Sequence, residues 1–105
     1  MKTDIKGCAE AFIRGESAHC RNARTNGQQY LLHGNLIAAI TRASEPEDDT
    51  ISFDWCRYYT PTTTSHMNAI LKAAGSSVNG RRLSYADARD TCATTFKVAV
   101  GGDLV

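Results

Sequence analysis

Cys8 and the His19-Cys20 pair would do the most consequential chemistry in this chain, if they do any. A thiolate nucleophile needs a base within hydrogen-bond reach and a third group to orient that base. The sequence shows no such trio. A structural zinc site needs closely paired ligands, and Cys8, Cys20, Cys56 and Cys92 stand 12, 36 and 36 residues apart with no C-x-x-C. The thiols read as reduced, with Cys8 and Cys56 acting as small buried hydrophobes. No catalytic residue, metal or cofactor is expected, and the chain reads as a non-enzyme.

Binding chemistry has more candidates. "YYTPTTTSHMNAILKAAG", residues 58 to 75, places a threonine run at the mouth of an amphipathic segment. Threonine hydroxyls satisfy the open amides of a first helical turn. Spare hydroxyls and free N–H groups at such a start could also hold a phosphate or carboxylate. His66 falls in that first turn, where the helix dipole opposes a positive ring, so a neutral, exposed imidazole is expected. Arginine and tyrosine together favour protein–protein hot spots. The contact set for a protein partner is therefore Arg21, Arg24, Arg57, Tyr58, Tyr59, Thr62, Thr63 and His66. The same residue types grip nucleic acid through phosphate contacts and base stacking, and that alternative rests on Arg21, Arg24, Arg57, Arg81 and Arg82. His33 reads as a turn residue beside Gly34.

A chain of 105 residues fits one domain, residues 1 to 105, with room for a modest core. A net charge of +1 argues against a strongly electrostatic polyanion binder. The chain has no apolar run of about 18 residues and no signal-peptide stretch near Met1, so a cytoplasmic protein without membrane contact is expected.

The elements that must carry these residues follow from periodicity. Asp4 caps a helix over about residues 4 to 14, with Ile5, Cys8, Ala9, Phe12 and Ile13 at helical spacing and Gly15 as its stop. Residues 15 to 28 read as a long polar loop ending in Asn26-Gly27. Tyr30 to Leu32 and Leu36 to Thr41 read as strands around a His33-Gly34-Asn35 hairpin. Residues 44 to 49 form a solvated acidic turn. Ile51, Phe53 and Trp55 alternate with polar residues in the clearest strand of the chain. A second helix is capped at Thr63 or Thr64, buries Met67, Ile70, Leu71 and Ala74, and stops at Gly75. A turn at Asn79-Gly80, a short helix over about 85 to 92 and a strand over 94 to 100 complete the chain. The class is α+β: a three-strand antiparallel meander plus a C-terminal strand, packed with two or three helices.

Four quoted patterns give a resemblance. They are F-x-x-G (Phe12, Gly15), N-x-x-T-x-G (Asn22, Thr25, Gly27), Y-x-L-H-G-N-x-I-A (Tyr30 to Ala38) and T-x-T-T-x-x-x-L-N (Thr60, Thr62, Thr63, Asn68, with Met67 where Leu is usual). Over about residues 9 to 75 the chain resembles small phage-encoded accessory proteins of unknown function. The resemblance implies a phage accessory protein in a bacterial cytoplasm that binds a host protein. Inhibitors of host defence, anti-CRISPR proteins among them, belong to that broad category. A second copy of the chain, met through an edge strand or a helix face, is the remaining partner to consider.

Overall fold

Asp4 sits in extended backbone and its carboxylate accepts the Gly7 amide at 2.7 Å. The first helix, α1, Ile5–Arg14, therefore begins at a capping side chain and ends at Gly15 in left-handed backbone. The structure is a computed structural model that describes residues 2–45, 48–56, 60–78, 80, 82–83 and 95–105. Six strands follow in it: β1 Ala18–Cys20, β2 Ala23–Thr25, β3 Gln29–Leu32, β4 Asn35–Thr41, β5 Thr50–Asp54 and β6 Thr95–Ala99. Each pairs antiparallel with the next, in the order β1-β2-β3-β4-β5-β6. The second helix, α2, Pro61–Ala74, lies between β5 and β6 in the chain.

Cross-strand partners share a face, so the register sorts the residues. Ala18, Thr25, Tyr30, Ala38, Phe53 and Phe96 are successive partners on one face, and Ile40, Ile51 and Val98 on the same side. That face is covered: Tyr30, Phe53, Ile51 and Val98 are buried against Cys8, Phe12, Met67 and Ile70 of the two helices. The expected alternation of Ile51, Phe53 and Trp55 puts all three in the core. The pairing of β3 with β4 shifts between Tyr30 and Leu31, and Ile37 is the extra residue. The bulge lets Ile37 and Ala38, neighbours in sequence, both be buried.

Three expectations need correction. Residues 15 to 28 are not a loop; they hold β1 and β2. Each of these strands is three residues long, with one outward polar residue, His19 or Arg24, between two inward ones. So short a run shows too little alternation to declare itself. The cap of α2 is Thr60, not Thr63 or Thr64. Its hydroxyl accepts the Thr63 amide at 3.2 Å, and Pro61 takes the first helical position, where its fixed φ suits the helix and its missing N–H costs nothing. The acidic turn is not wholly solvated: Asp49 is buried, and its carboxylate accepts the Ala43 amide at 2.7 Å. Gly75, the inward stripe of α2 and a last strand over Thr95–Ala99 match the sequence reading. The turn at Asn79 and the helix over 85 to 92 lie outside the described residues, as do Arg57, Tyr58, Tyr59 and Arg81.

Antiparallel order gives the sheet two distinct ends. One carries the β1–β2 turn at Arg21-Asn22, the β3–β4 turn at His33-Gly34 and the start of α2. The other carries residues 26 to 28, the β4–β5 connection and the C-caps of both helices. Gly27 is fixed at this second end by contact. A Cβ there would stand 2.4 Å from the Gly15 carbonyl carbon, and its φ is +91°. Arg42 also reaches across it, donating to the Ile13 carbonyl at 2.9 Å. Both helices run from the first end to the second. Lys2 bridges to His19 in parallel along β1, and Asp103 to Val105 fold back along β6, with Val105 N–H donating to the Lys97 carbonyl at 3.1 Å. Among the described residues no helix is long and apolar enough to cross a membrane.

Candidate functional site

Most residues of the four quoted patterns have a structural task. The Thr25 hydroxyl donates to the Gln29 carbonyl at 2.7 Å and accepts the Gly27 amide at 3.0 Å, closing the β2–β3 turn. His33 and Gly34 occupy the two central positions of a tight hairpin, both at positive φ, which is the geometry of a type I′ turn. Asn68 donates to the Leu83 carbonyl and accepts the Leu83 amide, fixing that residue beside α2. Thr60 caps α2 and Met67 fills the core. Asn22, Asn35 and Thr62 keep side chains that no such bond holds among the described residues, and all three lie at the first end of the sheet.

Two openings meet there. One, of about 410 Å³, lies between the β3–β4 turn and the start of α2, and includes His33, Asn35 and Thr62. The other, of about 800 Å³, lies between the starts of both helices and the β1–β2 turn, and includes Lys2, Ile5, Arg21, Asn22, Thr62 and His66. Thr62 belongs to both. Arg21 and Thr62 are exposed, as expected of contact residues.

Thr63 and His66 are not exposed, which corrects the sequence expectation. Thr63 points inward and its hydroxyl lies 3.1 Å from that of Thr60. His66 is 3% exposed, and its Nδ1 lies 2.7 Å from the Tyr30 hydroxyl. The chain winds as helix from Pro61 onward, so three- and four-residue spacing turns Thr63 and His66 onto the same inward face as Met67 and Ile70. The ring stays neutral for a different reason than the dipole alone. Burial lowers its pKa from 6.5, and neighbouring His33 lowers it further. Tyr30 is fully buried, and burial raises its pKa, so its hydroxyl keeps its hydrogen. An imidazole nitrogen is a better acceptor than the Cys8 sulfur also close to that hydroxyl. We therefore assign the Tyr30 O–H to Nδ1 and the ring hydrogen to Nε2.

Three of the thiols lie among the described residues. Cys8 is fully buried, and burial pushes its pKa up to about 11, so it remains a thiol. Cys8, Cys20 and Cys56 are all free. Among the described residues no three His, Cys, Asp or Glu side chains are grouped so as to hold a metal ion.

The face of the sheet turned away from α1 and α2 offers a second kind of site. His19, Arg24, Leu31 and Leu36 are successive cross-strand partners on it, and Ala39, Ser52 and Lys97 continue it across the later strands. Leu36 is 40% exposed, and His19, Arg24 and Lys97 stand in solvent. Sequence reading picked out Arg24 but missed Leu31, Leu36 and Lys97, because only the register shows them to be neighbours. Arg82 is exposed away from this face, beside Leu83.

Among the described residues the fold is α+β: an antiparallel sheet of six strands in sequence order, with two parallel helices on one face and none on the other. No protein-family model, curated protein sequence or solved structure matches the chain.

Proposed function

We propose that this chain is a non-enzymatic binding protein of the phage accessory type, which works by covering a surface of a host protein. Inhibition of a bacterial defence complex, such as a CRISPR effector, is the role the sequence resemblance suggests for it. The observation that supports docking is the open sheet face. Leu31, Leu36 and Ala39 make an apolar strip, with His19, Arg24 and Lys97 around it. An apolar centre with a polar, cationic rim is the anatomy of a protein interface, and its charge suits an acidic partner.

The alternative, a nucleic-acid module, draws on the same Arg21 and Arg24. The described part of this face presents leucine where a single-strand binder presents stacking aromatics, which favours a protein partner. The test is affinity capture of the full chain from nuclease-treated bacterial lysate, read by mass spectrometry and repeated with Leu36→Asp and Arg24→Glu. One acidic protein retained by the wild type and lost by both variants supports the proposal. Retention of nothing, together with oligonucleotide binding that weakens steeply with salt, would replace it with the alternative.

A further inference from the structure

His66 is a buried polar side chain with one nitrogen uncommitted. Tyr30 occupies Nδ1, and Nε2 has no hydrogen bond to any described residue. Yet among the described residues no fully buried side-chain nitrogen or oxygen lacks a partner. Nε2 therefore keeps contact with open space, and among the openings described His66 borders the one of about 800 Å³ between the two helix starts. With the tautomer assigned above, that nitrogen presents an N–H at the floor of the opening.

Other donors surround the same space. Pro61 has no amide hydrogen, Thr63 N–H goes to the Thr60 hydroxyl and Thr64 N–H to the Thr60 carbonyl. The Thr62 amide is left as the open donor of the first turn of α2, beside its own exposed hydroxyl. Lys2 and Arg21 supply positive charge at the rim. The starts of α1 and α2 both border the opening, so the positive ends of two helix dipoles converge on it. Asp4 is the opposing charge there, and one of its oxygens is committed to the Gly7 amide.

We propose that this opening binds a phosphate monoester group carried on a small ligand. Three oxygens and up to two negative charges need donors from several directions, and here they come from α2, the His66 ring, the chain before α1 and the β1–β2 turn. The apolar wall at Ile5 and Cys20 gives the body of the ligand a place to lie. The site adjoins the open sheet face at His19, which borders both, but its donors lie off that face, so either can stand without the other.

Phenyl phosphate and inorganic phosphate, added to the isotope-labelled full chain at low ionic strength, test it by NMR. The expected result is a saturable shift of the Thr62 amide and of His66 Nε2. Affinity should fall about tenfold in the Lys2→Gln, Arg21→Gln double variant, whose exposed positions leave the core untouched. A 5′-phosphorylated dinucleotide should compete, and its unphosphorylated form should not. No saturable shift up to about 20 mM overturns the proposal, that limit being weaker than any useful affinity. So does equal competition by the unphosphorylated dinucleotide, which would make the site a backbone-phosphodiester contact. Shifts that sulfate reproduces while Thr62 and His66 stay unmoved would also overturn it, since they report surface charge alone.

Discussion

The two ends of the sheet are made of similar residues used in different ways. At the end where the helices stop, Thr25, Asn26, Arg42 and Asp49 each hold backbone. Gly15 and Gly27 there meet backbone to backbone. At the end where the helices start, Asn22, Asn35, Thr62 and Nε2 of His66 hold none, and two openings lie among them. A polar residue committed to folding cannot also wait for a ligand. Beyond the capping Asp4 and Thr60, the end where the helices start thus keeps polar side chains uncommitted among the described residues, while those named at the other end are spent on closing turns.

The sharpest way to break this contrast is at the closed end. Gly27→Ala puts a Cβ into the Gly15 backbone at a φ that alanine resists, and should destabilise by more than about 3 kcal/mol in urea unfolding. A loss under about 1 kcal/mol would mean that the two turns separate easily and that this end is not locked.

The next effect lies between the ends and concerns the floor of the larger opening. Tyr30→Phe strands His66 Nδ1 in the core and should lower stability by about 1–3 kcal/mol, the cost of a buried unpaired polar group. An unchanged midpoint would show that the ring finds another partner.

Acid probes the same pair more gently. His66 is harder to protonate in the folded chain than in the unfolded one, because it is buried and because His33 is near. The unfolded chain thus takes up more protons once pH falls toward 6.5. The contribution is complete above that value and is lost as pH falls through it toward the lowered folded value. Stability should therefore slope more steeply between neutral and mildly acid pH in the wild type than in His66→Gln. Parallel slopes would refute the assignment.

The smallest effect on folding belongs to the open face. Leu36→Asp should leave stability within about 0.5 kcal/mol, since Leu36 is already 40% in water. Affinity for the captured partner should nonetheless fall about tenfold or more, measured by titration calorimetry. A large stability loss instead would show that the face belongs to the fold.

The sequence was legible where a pattern ran long enough to repeat. Asp4 and Gly15 bracket α1, and Gly75 stops α2, because capping depends on local geometry. Ile51 and Phe53 declared their strand by alternation. The three-residue strands around Arg21-Asn22 could not, since one polar residue between two small inward ones looks the same in a loop. The candidate sites were less legible. Arg21, Arg24 and Thr62 are exposed as expected, while His66 looked like a surface residue until Tyr30, 36 positions away, was seen to hold it. Such a pair is set by tertiary packing. So is the strip of Leu31 and Leu36, which depends on a register shifted at one residue.

The short segments that lie along the outer edges of β1 and β6, residues 2–3 and 103–105, have a consequence for the company this protein keeps. Among the described residues, a sheet fenced on both sides presents no long row of free amides and carbonyls for a neighbour to copy, so stacking into ribbons or fibres meets a barrier at each margin. A molecule of this build should stay discrete when crowded, and whatever engages its sheet must arrive broadside.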